Sequence, residues 1–216
     1  MKPNLSTLTA VLAFSLMACF PELGKAQQTS KSRHQITDAV EIELSGGWRT
    51  ATQRQAAEFE ADRKEIYARA GVEPKVNPRD TISFQAEKSQ GADSIALGIT
   101  VMPGEASQAQ VAQLSEQRIQ QLGAVFAQQF RSVAASAGVT NVVFTQPALQ
   151  HVGDKLAISY STSFTTADGI RRTGIKYHVY MRNATVVVSA TGADSIRQSL
   201  RGEASASIQT ARLIER

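Results

Sequence analysis

The 216-residue sequence contains a single cysteine, Cys19, which lies near the amino terminus. The rest of the chain therefore forms no disulfide, and this excludes the small secreted proteins whose folds depend on several bridges. The same absence excludes a cysteine nucleophile in the folded part of the chain. Stability must come from an ordinary apolar core, and a domain of about 190 residues is large enough to bury one.

The sequence also lacks the short motifs that mark common catalytic sites. It has no Gly-x-Ser-x-Gly elbow, and Gly46-Gly47 lacks the further glycines and the Lys-Ser/Thr end of a phosphate-binding loop. Glu58, Glu60 and Asp62 lie on a charged segment, so we expect solvated carboxylates rather than a glycosidase pair. A triad assembled from distant residues stays open, but no pattern indicates one. We expect a non-catalytic protein without a cofactor.

Histidine is scarce, and its spacing does not match a metal site. His34 lies in a polar segment, His151 in a predicted loop, and His178 at a polar position of a predicted strand. None of the three has a second His, a Cys or a carboxylate at a ligand spacing such as His-x-x-x-His. We therefore predict no metal site, and we expect His178 to be exposed.

Charge of one sign is not concentrated anywhere in the chain. The sequence has 23 Lys and Arg against 19 Asp and Glu, a net charge of +4, and residues 58–65 mix both signs. This pattern predicts no nucleic-acid partner. The densest basic cluster contains Arg171, Arg172, Lys176 and Arg182. It could bind an acidic partner or anionic lipid headgroups, or its members could be solvated hairpin charges.

The long apolar run of the sequence is confined to its beginning. Lys2 precedes residues 9–20, which are nearly all apolar but too few to cross a bilayer comfortably. A positive start, a short apolar stretch and small residues before a cleavage point are typical of a signal peptide. We predict that residues 1–26 are such a peptide, cleaved after Ala26, so that Gln27 begins the mature chain.

A second interpretation of this segment depends on the cysteine. Leu16-Met-Ala-Cys19 resembles the lipobox of bacterial lipoproteins, in which the cysteine is lipidated and becomes the first residue. Cys19 is thus either removed with the peptide or kept as a lipid anchor, and this anchor is the only membrane contact that we expect. Both interpretations predict an exported protein, in the periplasm or anchored to an envelope membrane facing it.

Hydrophobic periodicity predicts one α+β domain over residues 38–216, after a flexible tether at 27–37. Alternating apolar residues predict strands at 40–44, 81–87, 94–102, 142–144, 156–164, 171–181 and 185–190, and helical spacing predicts helices over 50–70, 107–137 and 194–213. Asp168-Gly169 predicts a hairpin turn, and the lone Trp48 is predicted to anchor the core. Because strands and helices segregate, the pattern favours a largely antiparallel sheet covered by helices.

This order of elements resembles the PsbP/Mog1-like sandwich and the DcrB-type bacterial envelope proteins. Ile42-Glu-Leu-Ser-Gly-Gly-Trp48 is similar to their opening strand and Gly-Trp turn. Residues 174–190 look like their paired late strands, and the helix after Asp194 fits their closing helix. The resemblance implies an α/β/α sandwich used for binding or assembly. It implies no catalytic residue, because a fold alone does not fix a function.

We therefore predict an exported, non-catalytic binding protein whose partner is another envelope protein, for example as an inhibitor or immunity protein. One alternative is a carrier that holds an apolar small molecule or lipid between the sheet and the helices. The other is a cell-envelope hydrolase, which requires a pocket in which His151 or His178 meets carboxylates or a serine.

Overall fold

The fold is given by a computed structural model, which describes residues 30–71, 80–104 and 106–215. The predicted signal peptide, with Cys19 and Ala26, lies outside the described residues, and so does Gln27. Cleavage and lipidation therefore stay predictions.

The order of strands and helices follows the predicted one closely. The strands are β1 (Ser32–Thr37), β2 (Val40–Leu44), β3 (Trp48–Thr50), β4 (Ile82–Gln90), β5 (Asp93–Pro103), β6 (Thr140–Phe144), β7 (Ala148–Val152), β8 (Lys155–Thr165), β9 (Arg171–Met181), β10 (Ala184–Ala193) and β11 (Arg212–Leu213). The helices are α1 (Gln53–Arg69), α2 (Gln108–Ala112), α3 (Glu116–Ser136) and α4 (Gln198–Gln209). The predicted turn joins β8 to β9, and Gly169 supplies its positive φ of 81°.

The strands form two antiparallel sheets. The large sheet has the order β3-β4-β5-β10-β9-β8-β6, and β7 also pairs with β8. The small sheet has the order β1-β2-β11. β10 lies in the middle of the large sheet and pairs along almost its whole length with both β5 and β9. The predicted largely antiparallel sheet is confirmed.

One face of the large sheet is covered by the small sheet and α4, and we call it the small-sheet face. It holds the main apolar cluster, whose fully buried members include Ile42, Leu44, Leu97, Ile99, Val179, Val188, Leu200 and Ile208. Trp48 belongs to the same cluster and is only 3% exposed, which confirms the predicted core anchor. Burial of this apolar surface is the largest favourable contribution to folding.

The other face is covered by α1, α2 and α3, and we call it the long-helix face. It holds two smaller apolar clusters, one around Leu122, Phe126, Ile158, Tyr160 and Tyr180 and one around Tyr67, Phe130, Val133, Val139 and Phe164. Helices therefore lie on both faces of the sheet. The predicted α/β/α sandwich is confirmed.

The long helix predicted over 107–137 is two helices, α2 and α3. Ser115 has an extended backbone with ψ of 156°, and its hydroxyl accepts a hydrogen bond from the Arg118 N–H at 3.4 Å. Ser115 is thus the N-cap of α3, and Glu116 supplies the acidic residue favoured in a first turn. The apolar spacing continues across this break, which is why periodicity alone predicted one helix.

The closing helix is shorter than its predicted range of 194–213. α4 covers Gln198–Gln209, and Arg212 and Leu213 then pair with Glu41 and Val40 of β2. Leu213 is 3% exposed, and a buried apolar residue suits a helix as well as a strand, so its apolar character does not distinguish the two. The pairing with β2 makes these two residues a strand.

The tether prediction is wrong for residues 32–37, because these form β1. Ser32 lies opposite Leu44 in the pairing with β2, and the His34 ring contacts the Phe84 ring with centroids 5.3 Å apart. The segment Ser-Arg-His-Gln-Ile-Thr holds one aliphatic residue, Ile36, so it has no apolar alternation of its own. The pairing with β2 supplies the order that the local sequence lacks.

α4 is joined to the sheet by a charged contact as well as by apolar packing. The ammonium of Lys88 on β4 donates to the Glu203 carboxylate of α4 and, at 2.6 Å, to the Gly46 carbonyl. The Ser45 hydroxyl donates to the same carboxylate at 3.3 Å. Only 11% of the Lys88 side chain is exposed, so solvent screens this pair weakly.

We expect Lys88→Met to lower the free energy of unfolding by about 1–3 kcal/mol, because the Gly46 carbonyl and the Glu203 carboxylate both lose the ammonium, and the carboxylate keeps the Ser45 hydroxyl as a donor. Urea denaturation at neutral pH would measure the change. The matched control is Arg54→Met, which removes the Arg54–Glu58 pair on a side chain that is 87% exposed. It should leave the free energy of unfolding nearly unchanged, because an exposed ion pair contributes little to stability. Equal effects of the two substitutions would contradict the prediction.

Candidate functional site

Strand β9 places three ionisable side chains on the long-helix face. Successive strand residues point to opposite faces, so Lys176, His178 and Tyr180 lie opposite to the apolar set that includes Val179. His178 is 0% exposed, and the expectation that it is an exposed strand residue is wrong. The sequence pattern places His178 among the polar residues of β9. Helices cover the long-helix face as well, so the side chains of β9 on this face are also buried.

His178 is held in a stack of aromatic rings. Its Nε2 is hydrogen-bonded to the Tyr160 hydroxyl at 3.0 Å, and its ring stacks on Phe126 with centroids 4.8 Å apart. Phe144 stacks on Tyr160 at 4.3 Å, so these rings fill the space under α3 in which an apolar ligand would lie. Burial, and secondly the nearby Lys176 charge, lower the pKa of His178 to about 3. The imidazole is therefore neutral at physiological pH.

Lys176 is the second buried ionisable group of this face. The residue is 2% exposed, and its Nζ lies 5.7 Å from the centroid of the Phe130 ring on α3. Burial lowers the pKa of its ammonium to about 8. The group thus keeps its charge at neutral pH, in a place that water scarcely reaches.

The four predicted cluster residues do not form one basic surface. Arg171 pairs with Asp194 at 3.4 Å at one end of β9, and Arg182 is exposed beyond the other end, roughly 35 Å along the strand direction. Arg172 is half-buried on the long-helix face, and Lys176 is buried. The residues are close in sequence, but strand alternation and strand length separate them.

The histidines do not assemble the pocket that a hydrolase requires. His151 lies in the edge strand β7, not in the predicted loop, and it is exposed. In the described part of the chain, neither His151 nor His178 has its ring hydrogen-bonded to a carboxylate or a serine. No three His, Cys, Asp or Glu of that part come together as metal ligands. None of the described helices is long and apolar enough to cross a membrane.

Part of the long-helix face is polar rather than apolar. Buried polar residues on β4, β5, β10 and β8 include Glu87, Thr100, Thr162, Thr185, Ser189 and Thr191. Most lie toward the β4 side of the sheet, where α1 contacts both β4 and α3. Burying hydroxyls and a carboxylate costs free energy unless they are hydrogen-bonded. The polar area is therefore a feature that core formation alone does not require.

A groove of about 580 Å³ lies on the outer face of the small sheet. It is lined by Arg33, Glu41, Glu43, Arg212, Leu213 and Ile214 from the three strands and their end, by Gln209, Thr210 and Ala211, and by Gly153 and Asp154 of the β7–β8 turn. Arg33 pairs with Glu41 at 3.0 Å. Ile214 is 52% exposed, which is unusual for a large aliphatic side chain beside charged groups.

Sequence reasoning missed this groove because it missed two of its strands. The sequence predicts a tether where β1 lies and the end of a helix where β11 lies, so no pattern joins Arg33 to Arg212. One indication was present: charged residues alternate with apolar ones at Glu41 and Glu43, which predicts a charged outer face for β2.

We expect the stability of this protein to fall as the pH drops from about 6.5 toward 3, in part because of His178. In that window the unfolded imidazole binds a proton that the folded one excludes until about pH 3, so acid favours unfolding. Urea denaturation across this range would show a shallower pH dependence for His178→Gln than for the wild type. An unchanged slope in the variant would contradict the neutral, buried state of this histidine.

Comparison with known proteins rests on the fold alone. No protein-family model matches the sequence, and no curated protein matches it. Among solved structures, the cyanobacterial PsbP protein CyanoP from Synechocystis sp. PCC 6803 is similar with a TM-score of 0.51 and 12% identity, over 91% of this chain and 100% of that one. LpqN, involved in cell envelope biogenesis of Mycobacterium tuberculosis, is similar with a TM-score of 0.45 and 11% identity, over 85% of this chain and 91% of that one. The chain therefore has a PsbP-like α+β fold, as the order of its elements predicted.

Proposed function

We propose that this protein is an exported, non-catalytic binding protein whose partner is another protein of the cell envelope, and that the groove on the small sheet binds that partner. The observation that carries the proposal is the groove itself, which combines charges of both signs with an exposed aliphatic side chain. An inhibitor or immunity protein is one concrete form of this function. The predicted signal peptide supports the exported location.

The composition of the groove suits a protein surface. Arginine is enriched among the residues that dominate binding energy at interfaces, and an exposed aliphatic side chain gains free energy when a partner covers it. Arg212 and Ile214 provide one of each, two residues apart, and both are exposed. The carboxylates of Glu41 and Glu43 are paired with Arg33 and Lys31, so they supply a polar rim.

We expect a partner segment to lie across the outer face of the small sheet rather than to add a strand to its edge. β11 pairs with β2 alone among the described strands, but its other side is occupied by the turn at Gly153, where an added Cβ would lie 2.6 Å from the Ala211 carbonyl oxygen. The segment would therefore bind through side-chain contacts in the groove. Such a segment would present an acidic side chain to Arg212 and an apolar one to Ile214.

We expect a photo-crosslinking amino acid at position 212 to give a discrete adduct with one envelope protein in the cell that makes this chain. The matched control places it at position 170, because Ile170 is also an exposed aliphatic residue, at 41%, but lies in the β8–β9 turn. β8 separates that turn from the groove by roughly 35 Å.

Binding of the purified, crosslinked partner then tests the two anchors. Arg212→Glu combined with Ile214→Ser should weaken the Kd at least tenfold, because the partner loses both a charge contact and an apolar contact. Arg118→Glu combined with Ile170→Ser should leave the Kd unchanged. Equal crosslinking from positions 212 and 170, or equal affinity of the two double variants for the partner, would contradict the proposal.

A further inference from the structure

Few side chains of α1 are buried in the domain. Of those that the structure describes, Tyr67 alone is buried, at 8% exposure, and it lies in the last turn of the helix. Phe59 and Ile66 are half-buried, and most of the others are exposed. α3, by contrast, has buried residues along most of its length, from Ile119 to Ala134. The apolar burial that holds α1 in place is therefore small and lies mostly at one end of the helix.

The part of the sheet that α1 covers is polar. α1 contacts β4 on one side and α3 on the other. α3 lies over β8 and β9, where Phe126 contacts Tyr160 and His178, so α1 lies over the strands in between, β5 and β10. On this face β10 carries Ser189, which is 1% exposed, and Thr191, which is 5% exposed. Neither residue belongs to an apolar cluster.

The side chains of β5 beneath α1 are small as well. Strand register places Gly98 opposite Ser189 and Ala96 opposite Thr191. Small side chains gain little free energy when a helix covers them, and hydroxyls can hydrogen-bond to water when they are uncovered. Removing α1 from the sheet therefore costs much less free energy than removing α4, which packs on the main apolar cluster.

α1 also has stabilising contacts that do not depend on the sheet. Thr52 and Gln55 form a capping box at its start. The guanidinium of Arg54 pairs with the Glu58 carboxylate, one turn further on, at 2.8 Å. Such local contacts favour the helical state of a segment whether or not it is packed against a sheet.

We propose that α1 is a lid, which leaves the large sheet while the rest of the domain stays folded and which thereby uncovers Ser189 and Thr191. Tyr67 holds the lid closed, since it packs in the cluster that contains Phe130 and Val133 of α3. Opening of this kind is a local event with a free energy below that of global unfolding. The lid does not depend on the proposed partner binding, because the groove is built on the small sheet, on the other side of the large sheet.

Thiol labelling tests the lid, because Cys19 is the only cysteine of the chain. In the full chain with Cys19→Ser, the substitution Ser189→Cys introduces one thiol beneath α1. The matched control is Ala190→Cys, because Ala190 is the next residue of β10, is 5% exposed and belongs to the main cluster on the opposite face. Labelling by N-ethylmaleimide is followed by mass spectrometry at urea concentrations below the unfolding transition. Urea unfolding of each variant gives the labelling rate that global unfolding alone allows.

We expect the thiol of Ser189→Cys to be labelled about tenfold or more faster than global unfolding allows, and with little dependence on urea, because opening of a lid exposes little surface. The thiol of Ala190→Cys should be labelled only at the rate of global unfolding. Labelling of both thiols at the same rate, relative to global unfolding, would overturn the proposal.

A second substitution identifies α1 as the element that moves. Tyr67→Ala should speed the labelling of Ser189→Cys by a further factor of about ten or more, because it removes the large side chain that holds α1 in its cluster. The control on the same helix is Arg54→Met, whose side chain is 87% exposed and which should leave the labelling rate nearly unchanged. If Tyr67→Ala does not change the rate, the opening does not involve α1 and the proposal fails.

Discussion

The pairing of β10 with both of its neighbours is the constraint on which the rest of the structure depends. β10 is hydrogen-bonded to β5 and to β9 over nearly all its residues, from Ala184 to Ala193. This arrangement joins the early hairpin β4–β5 to the late meander β8–β9, which are far apart in sequence. Without it the small sheet and the long helices would have no common surface to cover. Since β10 is buried on both faces, its sequence has to be compatible with two different environments.

The two faces of β10 differ in the polarity of their buried side chains. On the small-sheet face, Val186 and Val188 of β10 join a continuous apolar cluster. On the long-helix face, Thr185, Ser189 and Thr191 of the same strand are buried but polar. Burial of hydroxyls gains less free energy than burial of aliphatic groups, so the side chains of β10 on the small-sheet face contribute more to stability than those on the long-helix face. The buried Lys176 and His178 belong to this second face.

The groove is built on the small sheet and the end of α4. The small sheet is connected to the large one by the contact of Lys88 with Glu203 and Ser45 and by the packing of Trp48 in the main apolar cluster. The groove therefore lies on a sheet that is held in place by both charged and apolar contacts.

The sequence by itself determined the strands that have their own alternation, such as 171–181, the hairpin turn at Gly169, the buried Trp48 and the α+β class. These depend on local periodicity and turn chemistry, which a single sequence carries. Only the tertiary structure decided that residues 32–37 and Arg212–Leu213 are strands, because their order comes from β2. It also decided that His178 and Lys176 are buried: alternation tells which residues share a face, but whether a polar face meets water depends on what packs against it, and that is a property of the whole fold.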